Sequence, residues 1–285
     1  DSNEEPSRTV LPNFTISEEM ADIIFSSQKT ICRKLRKKIN KRKKTRSVTT
    51  KADIVIEMNR KTEKLTSENV LGYIEGSDLK EELLILTAHY DHLGKDDTTV
   101  YNGADDDGSG TVALLELAEA FSLAKKDGKG PRRSILIMPV AGEEKGLLGS
   151  QYYTDKPLFP LEKTIADLNI DMIGRLDEKH KDNSNYVYLI GADKLSTELH
   201  KISENANNTY TKLDLDYTFN DPADKNRFYY RSDHYNFAKN NIPVIFYFNG
   251  VHEDYHKPTD EVSKINFEKM EKITRLVFYT AWDLA

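Results

Sequence analysis

Four strand candidates, 83–88, 134–140, 165–170 and 242–248, each give way at their carboxyl end to an acid or an imidazole. His89 follows the first, Glu143 and Glu144 the second, Asp171 the third, and Tyr255 and His256 lie beyond the fourth. The continuous apolar runs 83–86 and 242–248 read as strands buried on both faces, the pattern of a parallel sheet covered by helices. The intervening segments supply those helices. Residues 112–124 are apolar almost all round, 146–153 and 195–206 give shorter helices, and the last helix turns Phe267, Met270, Ile273, Leu276, Val277 and Leu284 inward. Strands alternating with helices predict an α/β chain with a mainly parallel, mixed sheet sandwiched between helices. Such sheets collect polar groups at the carboxyl ends of their strands, so four ends carrying acid or imidazole predict one shared site.

The densest of these ends is the stretch 86–110. His89, Tyr90, Asp91 and His92 follow the strand, and Gly103, Ala104, Asp105, Asp106, Asp107, Gly108, Ser109 and Gly110 lead into a helix. Three adjacent carboxylates repel one another unless a cation compensates them, and an imidazole within reach adds a nitrogen ligand suited to zinc. A solvated turn with a helix N-cap would use the same residues, the histidines being incidental. His92 competes with His89 for the role of ligand, and the residues alone do not choose between them.

Composition narrows the chemistry. The single cysteine, Cys32, excludes an internal disulfide and any thiolate-rich zinc site, so zinc would have to use His and carboxylate. With 285 residues, 38% of them hydrophobic, the chain can bury a sizeable core. No apolar run approaches the ~18 residues of a membrane helix. Residue 1 is Asp and no signal-like segment follows, so the sequence reads as processed or cut from a longer one.

The net charge of -6 hides ten Lys or Arg among the fourteen residues 33–46, leaving 31 basic against 47 acidic residues elsewhere, a balance of -16. That run has no aromatic residue for base stacking and only Leu35 and Ile39 as large apolar ones. It reads as a solvated helix face or a tether, with no nucleic acid as partner. Before it, a polar stretch with Pro6 and Pro12 leads to Ser17, Glu18 and Glu19, which open a short helix. After it, residues 52–58 alternate like a strand, with Ile54 and Ile56 on one face. The boundary is placed near Ser47, giving an N-terminal segment, 1–47, and a main domain, 48–285. Within the latter, 70–74 and 186–190 read as further strands, and 207–231 as a loop with at most one strand.

The residues at the strand ends resemble one family as a set. His89-x-Asp91, Gly103-x-x-Asp106-x-Gly108-Ser109-Gly110, Glu143-Glu144-x-Gly146-Leu147-Leu148-Gly149-Ser150, Asp171-Met172-Ile173-Gly174 and Tyr255-His256-x-Pro258-x-Asp260 look like the co-catalytic zinc aminopeptidases. Glutamate carboxypeptidases, glutaminyl cyclases and the transferrin receptor are also members. The resemblance runs in order from about residue 69 to 270. It implies a zinc aminopeptidase/phosphorylase-like α/β/α fold and two Zn2+ ions per chain. His89 and Asp171 would hold one ion, Glu144 and His256 the other, and Asp106 would bridge them. Charge agrees with this assignment, because Asp106, Glu144, Asp171 and a bridging hydroxide neutralise four positive charges. Glu143 would be the general base, Asp91 would orient His89 through its second nitrogen, Tyr255 would stabilise the oxyanion, and Arg231 would lie near the substrate. The Asp106–Asp107 peptide would be cis, as is frequent in the family. His180, His200 and His234 are left as surface or structural residues. Residues 11–25 resemble the exit from a protease-associated domain, so 1–47 would be the remnant of such a connection.

The implied activity is removal of residues from peptides with a free amino terminus, at a periplasmic or extracellular location. A carboxypeptidase or dipeptidase of the glutamate carboxypeptidase type is the alternative, with Arg231 available for a substrate carboxylate. A receptor module on the same fold would have lost ligands, and this chain keeps all five.

Overall fold

The computed structural model describes residues 13–28, 30–59, 61 and 63–285. The stretch 1–12, with Pro6, Pro12 and the start of the expected domain exit, lies outside the described residues. Two compact units are present, Asp1–Lys64 and Leu65–Ala285.

In the first unit, α1 (Glu18–Phe25) starts where the sequence predicts, with the Ser17 hydroxyl accepting from the Met20 N–H. The basic run forms α2 (Cys32–Arg42), none of whose residues is buried, as a solvated helix should be. Residues 52–58 are not a strand. They stay irregular, with Val55 85% exposed and Met58 72% exposed. Alternation marks a face that could be covered, but a strand also needs a paired neighbour, and this segment pairs with none among the described residues.

The second unit is built on a seven-stranded sheet. Its strands are β1 (Gly72–Ile74), β2 (Leu79–His89), β5 (Arg133–Val140), β6 (Thr164–Ile170), β7 (Tyr186–Ile190), β8 (Asp214–Asp216) and β9 (Val244–Phe248), in the order β1-β5-β2-β6-β9-β7-β8. A separate hairpin, β3 (Gly94–Asp96) with β4 (Thr99–Tyr101), occupies the polar loop after His92. β2 runs parallel to both β5 and β6, β6 to β9 and β7 to β8, while β1 and β7 pair antiparallel with β5 and β9.

Strand parity explains the apolar runs. Leu84, Leu86, Ile135 and Ile137 face one core with α3 (Gly108–Lys126), α5 (Thr197–Ala206) and α7 (Phe267–Leu284). Leu83, Ile85, Leu136 and Met138 face the other, with α4 (Leu148–Asp155) and α6 (His234–Ala238). The strands are therefore buried on both faces over 83–89 in β2 and over most of β5, and the sheet is sandwiched between helices as expected.

The chain leaves β2 for β5 on one side and then returns to β6 on the other. The carboxyl end of β2 is thus a topological switch point, where open α/β sheets bind their ligands.

Candidate metal centre and active site

The loop 103–107 crosses that switch point, and its three aspartates point three ways. Asp107 is used by backbone. Its Oδ1 accepts from Gly110 N at 2.9 Å and Met172 N at 3.2 Å, and its Oδ2 from His89 N at 3.1 Å. It therefore ties the start of α3 to the ends of β6 and β2. Gly110 makes this approach possible, since a Cβ there would stand 2.5 Å from Asp107 and from the Ile170 carbonyl. Asp105 accepts from Gly174 N at 2.6 Å and lies 3.2 Å from His252 Nε2, both side chains being fully enclosed. Burial pushes both the Asp105 and Asp107 carboxyls up, against the His252 contact at the first and, at the second, the charge on His89 and the Met172 amide. The loop itself is held by Asp260, whose carboxylate accepts from the N–H of Asp105 and of Asp106. The Asp106–Asp107 peptide is cis.

Only Asp106 is left to face the site. Its Oδ1 lies 3.2 Å from His89 Nε2, and its Oδ2 lies 3.2 Å from His256 Nε2. His89 also approaches Asp171 Oδ1 at 3.7 Å, and His256 approaches Glu144 Oε2 at 3.3 Å. The five side chains singled out by the sequence thus converge as two sets, His89 with Asp171 and His256 with Glu144, on either side of one carboxylate. Burial pushes Asp106 up, but the His256 and His89 imidazoles outweigh it and hold the acid well below its usual range. Burial works against a charge on His89, yet Asp171 and Asp106 hold that imidazole well above its ordinary value. His256, half exposed, is raised by its contact with Asp106. It adopts a left-handed backbone at φ 57°, and Met172, next to Asp171, does so at φ 58°. Non-glycine residues held this way cluster at functional sites.

Proximity alone also groups Asp107 with His89 and Asp171. Its oxygens already accept three backbone N–H groups, which leaves it a structural tie. Ser232 donates to Asp171 Oδ2 at 2.7 Å and so fixes that carboxylate.

Glu143 stands in a short turn after β5, next to Glu144 but directed elsewhere. Its N–H donates to Asp91 Oδ1 at 3.1 Å. Burial pushes its carboxyl up to about 9; the charge on His89 opposes this, and Asp171, Asp233 and Asp106 add to it. Asp91 differs from expectation in how it touches His89. His89 Nδ1 donates to the Asp91 backbone carbonyl at 2.9 Å, while the Asp91 carboxylate is 3.8 Å away and accepts from Glu143 N.

Beside this centre lies a cleft lined by Phe228, Phe246, Phe248, Val251, Arg231 and Tyr255, together with Asp106, Glu143 and Asp171. Tyr255 stacks on His256 at 3.9 Å between centroids, and Arg231 Nη2 is 3.4 Å from its hydroxyl. His234, one of the histidines set aside, is completely buried, with Nε2 at 2.8 Å from the Tyr229 carbonyl. His180 is held between Asp177 and Asp216 at 2.9 and 3.3 Å.

Sequence reasoning gave no role to Asp105, Asp107, Ser232, His252 or Asp260. Asp260 stands inside the Tyr-His-x-Pro-x-Asp pattern, and Ser232 follows Arg231, so both were within view. No local spacing marks His252 as the partner of Asp105.

The donor set suits zinc: carboxylates and imidazoles with no thiolate. Asp106 Oδ2 and Glu144 Oε1 are buried and face imidazole nitrogens at 3.2 and 3.0 Å without a well-directed hydrogen bond, an arrangement that a cation among them satisfies.

Comparison with known proteins agrees. The pattern of Peptidase family M28 matches residues 69–281. A probable leucine aminopeptidase of Arthroderma otae is 31% identical over 212 residues, 72% of this chain and 55% of that protein. Aminopeptidase YwaD of Bacillus subtilis is 26% identical, over 74% of this chain and 43% of that protein. The chain thus spans about half the length of these curated relatives. Among solved structures, LapB from Legionella pneumophila superposes with a TM-score of 0.62 at 23% identity, covering 76% of this chain and 55% of that one. BSAP, a zinc aminopeptidase from Bacillus subtilis, gives 0.60 at 24% identity, covering 76% and 49%.

Proposed function

This chain belongs to Peptidase family M28, and from that membership we propose that it is a zinc-dependent aminopeptidase acting on peptides with a free amino terminus. The observation that carries the reading is Asp106, whose two oxygens face separate imidazole and carboxylate pairs beside an unpaired Glu143. His89 and Asp171 would hold one zinc ion, Glu144 and His256 a second, with Asp106 reaching both. Two such ions supply Lewis acidity, lowering the pKa of water and stabilising negative charge on oxygen.

The chain's own residues do the rest. Glu143 takes the proton of the attacking water and returns it to the leaving amine nitrogen. Asp91 anchors its backbone for that transfer. Tyr255, with Arg231 near its hydroxyl, donates to the carbonyl oxygen as it gains charge. The substrate's α-ammonium finds acceptors in Glu143 and Asp171, while the first side chain enters the cleft walled by Phe228, Phe246, Phe248 and Val251.

One tripeptide tested free, acetylated and amidated separates the two enzyme readings. Acetylation removes the charge and leaves buried acceptors unpaired, which costs about 1–3 kcal/mol and more for charged groups such as these, so kcat/KM should fall roughly tenfold or more. Amidation of the far end should change little. The reverse pattern would refute the aminopeptidase and favour a carboxypeptidase whose Arg231 pairs with the terminal carboxylate.

A further inference from the structure

We propose that His92 is a third imidazole of the metal cluster, a ligand of the subsite formed by Glu144 and His256, so that the two subsites are unequal. This rests on the metal-centre reading above and adds a ligand to it. The His92 side chain is only 9% exposed, and its Nδ1 lies 3.0 Å from Glu144 Oε1 and 3.9 Å from Asp106 Oδ2. His92, Asp106 and Glu144 each offer a ligand atom within 4.8 Å of the others. His256 Nε2 reaches the other Glu144 oxygen and the same Asp106 oxygen. Each oxygen of Glu144 is therefore faced by its own imidazole. The two rings meet edge to face, 5.9 Å apart, rather than stacking.

Hydrogen bonding gives His92 no other task. Neither of its ring nitrogens makes a well-directed hydrogen bond, and neither Glu144 Oε1 nor Asp106 Oδ2 receives one, although imidazole nitrogens lie 3.0 and 3.2 Å from these oxygens. Unpaired buried donors and acceptors are costly, and one cation held among Nδ1 and these two oxygens satisfies three of them together. The ring is seated by Gly103, at φ +62°, where a Cβ would stand 2.5 Å from His92 Cγ. Any other residue at 103 would push the imidazole away.

The donor count then differs between subsites. His89, Asp171 and Asp106 give three protein ligands, the number that leaves a position open for chemistry, whereas His92, His256, Glu144 and Asp106 give four, the closed tetrahedral number. The first equivalent of zinc should enter the Glu144 subsite. The open position should belong to the His89 subsite.

X-ray absorption at the zinc edge counts imidazoles directly. The chain loaded with one equivalent of zinc should show two imidazoles on the metal, and His92→Ala should show one, with circular dichroism and thermal unfolding checking the fold of the variant. Calorimetric titration with zinc should resolve two unequal steps. His92→Ala should weaken the tighter step by at least about tenfold, since even loss of a residue behind a ligand costs that much. One imidazole in the unsubstituted chain overturns the proposal whether or not the variant folds. Two zinc ions bound with that count of one would leave the metal-centre reading intact, and failure to bind zinc would overturn both.

Discussion

Glu143 and Glu144 are neighbours of identical chemistry, and what separates them is what each carboxylate meets. Glu144 faces His92 and His256 at 3.0 and 3.3 Å, whereas Glu143 is enclosed without such a partner and its carboxyl is pushed up to about 9. Cations bound among these acids pull such a group back down, toward the range where a general base works. Glu143→Gln should therefore keep its zinc, measured by elemental analysis, while kcat falls by roughly 10²- to 10⁴-fold. Loss of zinc from Glu143→Gln would exchange the roles of the two glutamates. Asp106→Ala should disturb both ions and Glu144→Ala mainly one, because only Asp106 turns an oxygen to each imidazole set. A fully metallated Asp106→Ala protein would sink the bridging assignment. Four of the five converging side chains were legible because each ends or follows a buried strand, and the family resemblance singled out Asp106 in the loop before α3. The different fates of Asp105, Asp106 and Asp107 were not. They depend on which backbone amides and imidazoles arrive from residues 172, 174, 252 and 256, far along the chain.

Among the elements, β2, β6 and α3 meet at Asp107, and their junction is a test of how the site is held. Replacing Asp107 by Asn keeps the shape and one accepting oxygen but sets an amide N–H against the N–H of His89 or of Gly110 and Met172. A buried donor left unpaired costs about 1–3 kcal/mol, so the denaturation midpoint should drop by a corresponding amount with an unchanged slope. An unaltered midpoint would mean that Asp107 is not the tie. Elements of this kind were readable to different degrees. β2, β5 and β9 announce themselves because both of their faces are covered, so the apolar run is nearly unbroken, whereas β6 buries Asp167 and Asn169 between its apolar residues. The hairpin β3–β4 is hidden in a polar stretch, being exposed and paired only with itself. Residues 52–58 carry the opposite lesson, since their alternation is real but nothing among the described residues pairs with it.

For the second unit as a whole, the switch point at β2 concentrates carboxylates and imidazoles at one end of the sheet, and stability has to come from the cores beneath. His234 belongs to those cores and links them to pH. Its ring stacks on Phe246 at 4.7 Å, Nε2 meets the Tyr229 carbonyl, and Nδ1 is buried with no partner. A proton on Nδ1 would be a buried charge, so burial pulls its pKa down to about 3, with the Tyr229 contact opposing. The unfolded chain, with an ordinary imidazole near 6.5, takes up that proton first as the pH falls. Between pH 6.5 and about 3 the unfolded state binds more protons than the native one, so stability is full above this window and declines through it. His234→Phe keeps the stacking and removes the titration. Urea midpoints of the variant and the parent, compared at each pH so that the site's own acids cancel, should converge or cross as pH falls from 7 to 4. A difference that stays constant across that range would show that His234 is protonated in the folded protein or is not sealed as the packing indicates.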